Sequence, residues 1–469
     1  SSLWPFFTLG RPEKTPDFDQ FFPTNTLFTG FDIFFLWVAR MIMMSLKFTG
    51  KVPFTDVFVT GLIADHEGKK MSKSKGNVLD PMDIINGITL DELIEKRSAN
   101  HLLDSTQKRI VAGTKKEFPE GIPAFGTDAL RFAYCALATN ARTIRFDMAR
   151  VETYRNFCNK LWNATRYVLM HTEEETGDLE DGAFQYSHAD RWIFSRMQHA
   201  IERCHQHYAQ YRFDLLASTL YEFVWHEYCD WYLELSKPVL YDPQALSAMK
   251  RGTRRTLVSV LFHIVKMLHP MMPFITETIF QRLNKLTSEG GETIMLAHFP
   301  TVEAGKVNLP LEAEIAWLQS VIQSIRTIRS EMGISPAKYI PLYLRNITAE
   351  SKTKLEKYNT TLLKLAKIEK IHLLKPKAPV PVSASAMVEE LELLIPMAGL
   401  IQKEDELARL QKSLKKLDED IKRASNKLNN PKFTAKAPED VIEKEQGKLE
   451  QAEREREKLL QHQTKIEAL

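Results

Sequence analysis

Between Val151 and Leu286 the chain consists of helix-length stretches with an apolar stripe, and no other part limits the fold as strongly. The segments VETYRNFCNKLWNATRYVLM, DRWIFSRMQHAIERCHQHYAQYRF and LLASTLYEFVWHEYCDWYLELSK are each amphipathic at helical spacing. Such stripes are stable when buried against other helices, so this region predicts a helical bundle. Asp190 and Asp214 stand where the N-caps of the second and third helices are expected. The stretch LVSVLFHIVKMLHPMMPFITETIFQRL is predicted to break at Pro270 and Pro273, because proline removes a helix hydrogen bond.

The flanks follow other periods. In residues 1–145, FFPTNTLFTG reads as a strand ending at Gly30, and DVFVTGLI as a buried strand. Between them, DIFFLWVARMIMMSL is apolar almost all round, which predicts a buried helix. Strand, helix and strand make a parallel βαβ unit, whose ligands gather beyond the strand C-termini. Residues 310–396 mix a helix through EIAWLQSVIQSIRTIRSEMG with short strands such as IPLYLRN and KIHLL. From about Ala398, Leu407, Leu410, Leu414, Leu417, Ile421, Ala424 and Leu428 form an alternating three-four seam. NNP at 429–431 interrupts it, and a weaker seam follows through Ile442, Leu449, Ala452, Leu459 and Ile466. The expected result is an antiparallel helical hairpin with arms of about 40 Å at 1.5 Å per residue.

Composition excludes several classes. Net charge is +3 over 469 residues, so nucleic-acid contacts must come from local patches. The four cysteines are far apart, with no CxxC pair, which fits a reducing compartment and neither a zinc ribbon nor a disulfide framework. Cys204 with His207, and His226 with Cys229, are i, i+3 pairs that lack a third and fourth ligand, so no metal is expected. The most apolar run, Ile33–Ala39, is far short of the about 20 residues of a membrane span. The N-terminus, SSLWPFFTLGRPEK, carries no leader pattern and reads as cut into from upstream.

The stretch GLIADHEGKKMSKSKGNVLDP crowds Lys69, Lys70, Lys73 and Lys75, with Ser72 and Ser74, between Gly68 and Gly76. A solvated loop is one reading. The other is a mobile set of cations that closes on a triphosphate. Lys70-Met71-Ser72-Lys73-Ser74 resembles the KMSKS loop of the class I aminoacyl-tRNA synthetases. GTDALRFAYCALA, YRNFCNKLWNATRY, DRWI, HPMMPFITE and IRSEMGISPAK, in register along the whole chain, resemble the valine-specific branch of that family.

The resemblance implies an α/β remnant of a Rossmann catalytic domain with the loop (1–75) and a stem-contact or connecting region (76–148). It implies next a helical anticodon-binding domain (149–300), a small α/β segment (301–397) and a coiled-coil tRNA-binding arm (398–469). It implies that Lys73, supported by Lys70, meets charge building on ATP, with Met71, Ser72 and Ser74 completing the loop. Gly30 and Asp32 would meet the adenylate ribose, although Asp32 also suits a helix N-cap. Ile33 and Trp37, four apart on one helix face, would line the amino-acid pocket; ordinary core is the alternative. ATP would bring its own Mg²⁺, and no zinc is expected. The partners would be valine and the valine tRNA, with a cytoplasmic monomer and no membrane.

Arg155, Asn156 and Lys160 would face the tRNA corner. Residues 412–436 hold eight basic and three acidic groups, an excess of +5 at the far end of the hairpin. There Lys422, Arg423, Lys427 and Lys432 would contact phosphates, and Phe433 a base. The family's His-x-Gly-His motif is not found, so the chain alone is expected to be inactive. Ala141 stands where relatives usually have glycine. The alternatives are an isoleucine- or leucine-type ligase, which the hairpin disfavours, and a non-catalytic tRNA-binding fragment, which the intact lysine loop disfavours.

Overall fold

The computed structural model describes Gly10 and residues 15–65, 67–72, 75–99, 104–173, 182–287, 291–375, 378–379, 381–397 and 403–429, with scattered helical positions between 446 and 464. Lys73, Ser74, Lys432 and Phe433 lie outside the described residues. The chain divides into two compact units, Ser1–Glu312 and Ala313–Leu469.

The first unit opens with α1 (Pro16–Phe21) and β1 (Thr24–Gly30), followed by a π-helical turn (Phe34–Val38) and α2 (Ala39–Thr49). Next come β2 (Phe54–Thr60) and β3 (Leu62–Ala64). β1 pairs with β2 in parallel, with Gly30 opposite Thr60. Beyond Gly61 the chain changes partner, and β3 runs parallel to β4 (Thr143–Arg145). A side chain at Gly61 would come 2.3 Å from the Ala141 carbonyl oxygen, so this crossing requires glycine. Ala141 itself has no positive φ and its segment still delivers the Arg142 carbonyl to the Leu62 N–H at 2.9 Å, so alanine is accommodated there.

The helix expected to be buried is not. Val38 and Met41 form its packed side, against Phe54 of β2. Phe35 is 82% and Leu36 68% exposed, and Met43 and Phe48 are also exposed. An all-round apolar pattern needs neighbours on every side, and among the described residues this helix packs against the sheet side.

α3 (Pro81–Asn86), α4 (Leu90–Ser98), α5 (Asp104–Glu117) and α6 (Thr127–Leu137) lead to the bundle. The bundle comprises α7 (Met148–Thr172), α8 (His188–Ala209), α9 (Phe213–Tyr221), a π-helical stretch (Glu222–Tyr232), α10 (Leu233–Leu240), α11 (Ser247–Leu268) and α12 (Pro273–Leu283). The break falls between Leu268 and Pro273, as the prolines predict. The N-caps differ from expectation. Ser187 caps α8, and Asp190 is the reciprocal N3 member of its capping box. Arg212 holds the N-cap position of α9, and Asp214 instead forms a two-pronged ion pair with it at 2.8 and 2.7 Å.

Polar contacts from two places help to fix the bundle to what precedes it. Asp128 on α6 accepts the N–H groups of Phe274 and Ile275 at 3.2 and 2.7 Å, satisfying free donors at the start of α12. The loop between α8 and α9 places Tyr211, at φ +54°, on the strands. Its hydroxyl meets Thr26 at 2.8 Å and donates to Asp56 at 3.3 Å, beside Phe28 and Phe58.

The second unit contains most of α13 (Leu309–Glu331) and a sheet ordered β6-β5-β8-β7. β5 (Ile340–Arg345) and β6 (Ile368–Leu373) are parallel and joined through α14 (Ala349–Leu365), while β7 (Ser383–Val388) and β8 (Leu391–Pro396) form an antiparallel pair. α15 (Lys403–Leu428) follows. Leu414 and Ala424, both members of the predicted seam, are buried on it, and Arg456 Nε donates to Asp418 at 2.6 Å.

Candidate functional site

Because β1 and β2 are parallel and in register at Gly30 and Thr60, the segments that follow them open at one edge. Asp32 folds back over Gly30 so closely that a Cβ there would lie 2.9 Å from Asp32 Oδ1. Across the edge, Lys70 Nζ stands 3.7 Å from Asp32 Oδ2, with the lysine side chain largely and the aspartate partly open to solvent. The two halves of the predicted nucleotide site therefore meet, through a pair loose enough to exchange for a ligand.

The lysine loop is held at its base by residues that the sequence reading did not single out. Asp65 is buried. Its Oδ1 accepts the N–H groups of Glu67 and Lys69 at 3.1 and 2.7 Å, and its Oδ2 accepts Asn77 Nδ2 at 2.7 Å. Asn77 Oδ1 in turn accepts the Ser72 N–H at 3.0 Å, and Lys70 forms a β-bridge with Ala64. This clamp orders Lys70, Met71 and Ser72. The available signal was an Asp before the glycine turn and an Asn after the lysines, both able to bond backbone locally. Lys69 pairs with Glu67, whose hydrogen bond and charge raise its pKa. Replacing Asp65 with alanine is expected to release the clamp and slow adenylate formation about 10-fold in an active ligase, at unchanged valine affinity. Equal pyrophosphate-exchange rates for the variant and its parent would refute that role.

Ile33 and Trp37 occupy different surroundings. Trp37 sits in the π-helical turn against Val38, Met41 and Phe54, whereas Ile33 is 44% exposed. The Trp37 N–H donates to the Ile33 carbonyl at 2.9 Å.

On α7, Arg155 pairs with Glu152 at 3.1 Å and lies over the Phe125 ring. Lys160 pairs with Asp230 and sits 4.3 Å from the centre of the Trp225 ring. Asn156 and Lys160 share the wall of a cavity of about 430 Å³ with Asn159, Asn163, Tyr167 and Trp225. On α15, Lys422 is exposed, Lys427 is exposed near the C-terminal end, and Arg423 approaches Glu419 and Asp420 at 3.6 Å. Burial pushes the thiols of Cys158, Cys204 and Cys229 up to about 12, which keeps them protonated and unreactive. His226 is engaged with Asp230 at 3.3 Å.

Three family profiles match the chain: tRNA synthetases class I (I, L, M and V) over residues 1–147, the anticodon-binding domain of tRNA ligase over 190–344, and the valyl tRNA synthetase tRNA binding arm over 403–467. Residues 1–147 are thus similar to the class I tRNA synthetases. It is 64% identical over all 469 residues to the valine–tRNA ligases of Legionella pneumophila strains Lens and Paris, and 49% identical to that of Coxiella burnetii RSA 493. It spans about half, 51%, of the length of these relatives. Among solved structures, the ternary complex of Agrobacterium radiobacter K84 agnB2 LeuRS, tRNA and LeuAMS overlaps at a TM-score of 0.41 and 16% identity, covering 80% of this chain and 42% of that one.

Proposed function

We propose that this chain is the C-terminal portion of a valine–tRNA ligase, supplying the lysine loop and the tRNA-binding regions. The observation that carries the reading is the meeting of Lys70 with Asp32 at one strand edge, in a chain alignable throughout with valine–tRNA ligases. In the reaction a carboxylate oxygen of valine bonds to the α-phosphorus of ATP while the bond to pyrophosphate breaks. A terminal ribose hydroxyl of the tRNA then attacks the valyl carbonyl, and AMP leaves. Lys73 and Lys70 stabilise negative charge on the phosphoryl oxygens as it builds, and no side chain need act as nucleophile. Mg²⁺ arrives with ATP. Asp32 exchanges its contact with Lys70 for the adenylate ribose as the loop closes, and Ile33 and Trp37 stand beside the amino acid.

Residues 1–75 serve as catalytic half-domain, 76–148 as stem-contact or connecting region, 149–300 as anticodon reader and 398–469 as arm, with 301–397 a small α/β segment between the last two. Asn156 and Lys160 meet the tRNA from the bundle, with Arg155 nearby. The tail forms an antiparallel hairpin, a reading supported by buried Leu414 and Ala424 and by the ion pair of Asp418 with Arg456. Lys422, Arg423, Lys427, Lys432 and Phe433 then lie toward its far end, on the tRNA.

Valine-dependent ATP–pyrophosphate exchange tests the assignment. Exchange is expected when this chain is joined to the remaining length of a valine–tRNA ligase, and none from the chain alone. Robust exchange by the 469-residue chain would overturn its reading as a portion, and an inactive joined protein would overturn the activity.

A further inference from the structure

Behind the lysine loop lies a cavity of about 450 Å³ between the loop exit and α4–α5, in the stem-contact or connecting region, of which the ligase reading singles out no residue. Lys75, Arg97, Arg109 and Lys116 line it. Three carboxylates line it too, but each is engaged. Asp65 holds the clamp, Glu67 pairs with Lys69, and Glu117 accepts from Arg97 Nη1 at 3.2 Å. The four cations outnumber the three carboxylates, and Lys75, Arg109 and Lys116 take part in no ion pair among the described residues, so the lining carries a net positive charge.

Arg97 adds an independent observation. It is 9% exposed and lies over the Phe118 ring, and its Nη1 reaches Thr114 and Glu117. Its Nε and Nη2 are buried with no hydrogen-bond partner. Native structures rarely leave such donors unmet. The Nε–Nη2 edge is also a guanidinium fork that receives two oxygens of a phosphate at once.

The cavity is joined to the loop mechanically. Gly76 has φ +66°, and a Cβ there would lie 2.6 Å from Ile110 Cδ1 on α5, so the loop exit presses directly on that helix. Asn77, the next residue, lines the cavity and carries the clamp to Asp65. α5 buries only Ile110 and Thr114 and turns Lys108, Arg109, Lys115 and Lys116 outward.

We propose that this cavity is a phosphate site, in which Arg109 and Lys116 receive a backbone phosphate of the bound RNA and a small turn of Arg97 brings its free edge onto it. Occupancy braces α5 against Gly76 and so biases the lysine loop toward its ordered position. The RNA source rests on the ligase reading above; the same chemistry would also hold a free polyphosphate.

The test uses the full chain and the double variant Arg109→Gln/Lys116→Gln, both of whose positions are exposed. Binding to valine tRNA is measured across a salt series, and binding to inorganic tripolyphosphate separately. The double variant is expected to bind tRNA about 10-fold more weakly at moderate salt, with a log–log salt slope shallower by about 0.7–0.9, and to melt with the parent. Arg97→Lys, which keeps the charge but not the fork, is expected to weaken binding about 3-fold with little change in slope. Loss confined to tripolyphosphate would assign the phosphate site to a free polyphosphate. Parental affinities for both ligands in the double variant would overturn the site while leaving the ligase reading intact. A parent chain that binds no valine tRNA would instead count against the ligase reading, and the tripolyphosphate arm would then decide the site.

Discussion

Lys73→Ala, placed in an active ligase containing this chain, is expected to slow valyl-adenylate formation about 10²–10³-fold, or roughly 3–4 kcal/mol of transition-state stabilisation. The argument starts from what the loop can do in the ground state. Lys70 is held near Asp32 by a solvent-exposed pair, and the backbone around it is fixed by Asp65 and Asn77. A loop anchored at its base and open to solvent can bring a further ammonium onto the phosphates when charge is building there. Such an interaction lowers the barrier without tightening substrate binding. The KM for valine should therefore stay near the parent value while the exchange rate falls. An unaltered rate of pyrophosphate exchange would remove Lys73 from the chemistry.

The second large effect is expected in the bundle. Asp190 is fully buried; it accepts the Tyr232 hydroxyl at 2.7 Å, the Thr253 hydroxyl at 3.0 Å and the Ser187 N–H at 2.8 Å. Asp190→Ala leaves three donors facing a cavity and should cost about 3–5 kcal/mol. The measurement is a urea midpoint, and a change below about 1 kcal/mol would show that the network is dispensable. Asp190→Asn keeps the shape and should cost less. Burial raises the Asp190 pKa in the folded state. The folded protein then holds this proton to higher pH than the unfolded chain does. That stabilisation is present at low pH and is lost as pH rises through the folded pKa. Relative to Asp190→Asn, the parent should therefore lose stability with rising pH across that window.

How much of this was legible in the residues varied with how local the physics is. The strand ending at Gly30 and the break before Pro273 follow from period and proline chemistry and are where they were expected, whereas the single strand expected over DVFVTGLI is divided at Gly61 into two strands with different partners. Gly30, Asp32 and Lys70 stand together because the strand end and the lysine-rich loop, both legible in the residues, open at one edge. Asp65 and Asn77 were missed because they lie twelve residues apart and meet only once the loop has turned back. The π-helical stretches at Phe34–Val38 and Glu222–Tyr232 were likewise illegible, since an apolar stripe does not separate 3.6 from a wider turn. Asp190 was read as an N-cap because its cap, Ser187, lies three residues upstream in a polar loop. The apolar helix after Asp32 was read as buried because hydrophobicity states a demand for cover, while the supply of cover depends on neighbours.

The pairing of β1 with β2 in parallel carries a consequence for how stability is distributed along this chain. Among the described residues these strands form a sheet of two, and Phe28 and Val59 on them are about half exposed. Parallel strands ordinarily lie inside a larger sheet covered on both faces. In α11, by contrast, twelve residues including Leu257, Leu261 and Val265 are buried. Amide hydrogens of the two strands should therefore exchange with deuterium through small local openings, long before those of α11, which wait for the bundle to come apart. The lysine loop thus follows strands that open locally, while the cavity beside Lys160 is walled by helices of the bundle that α11 helps to lock.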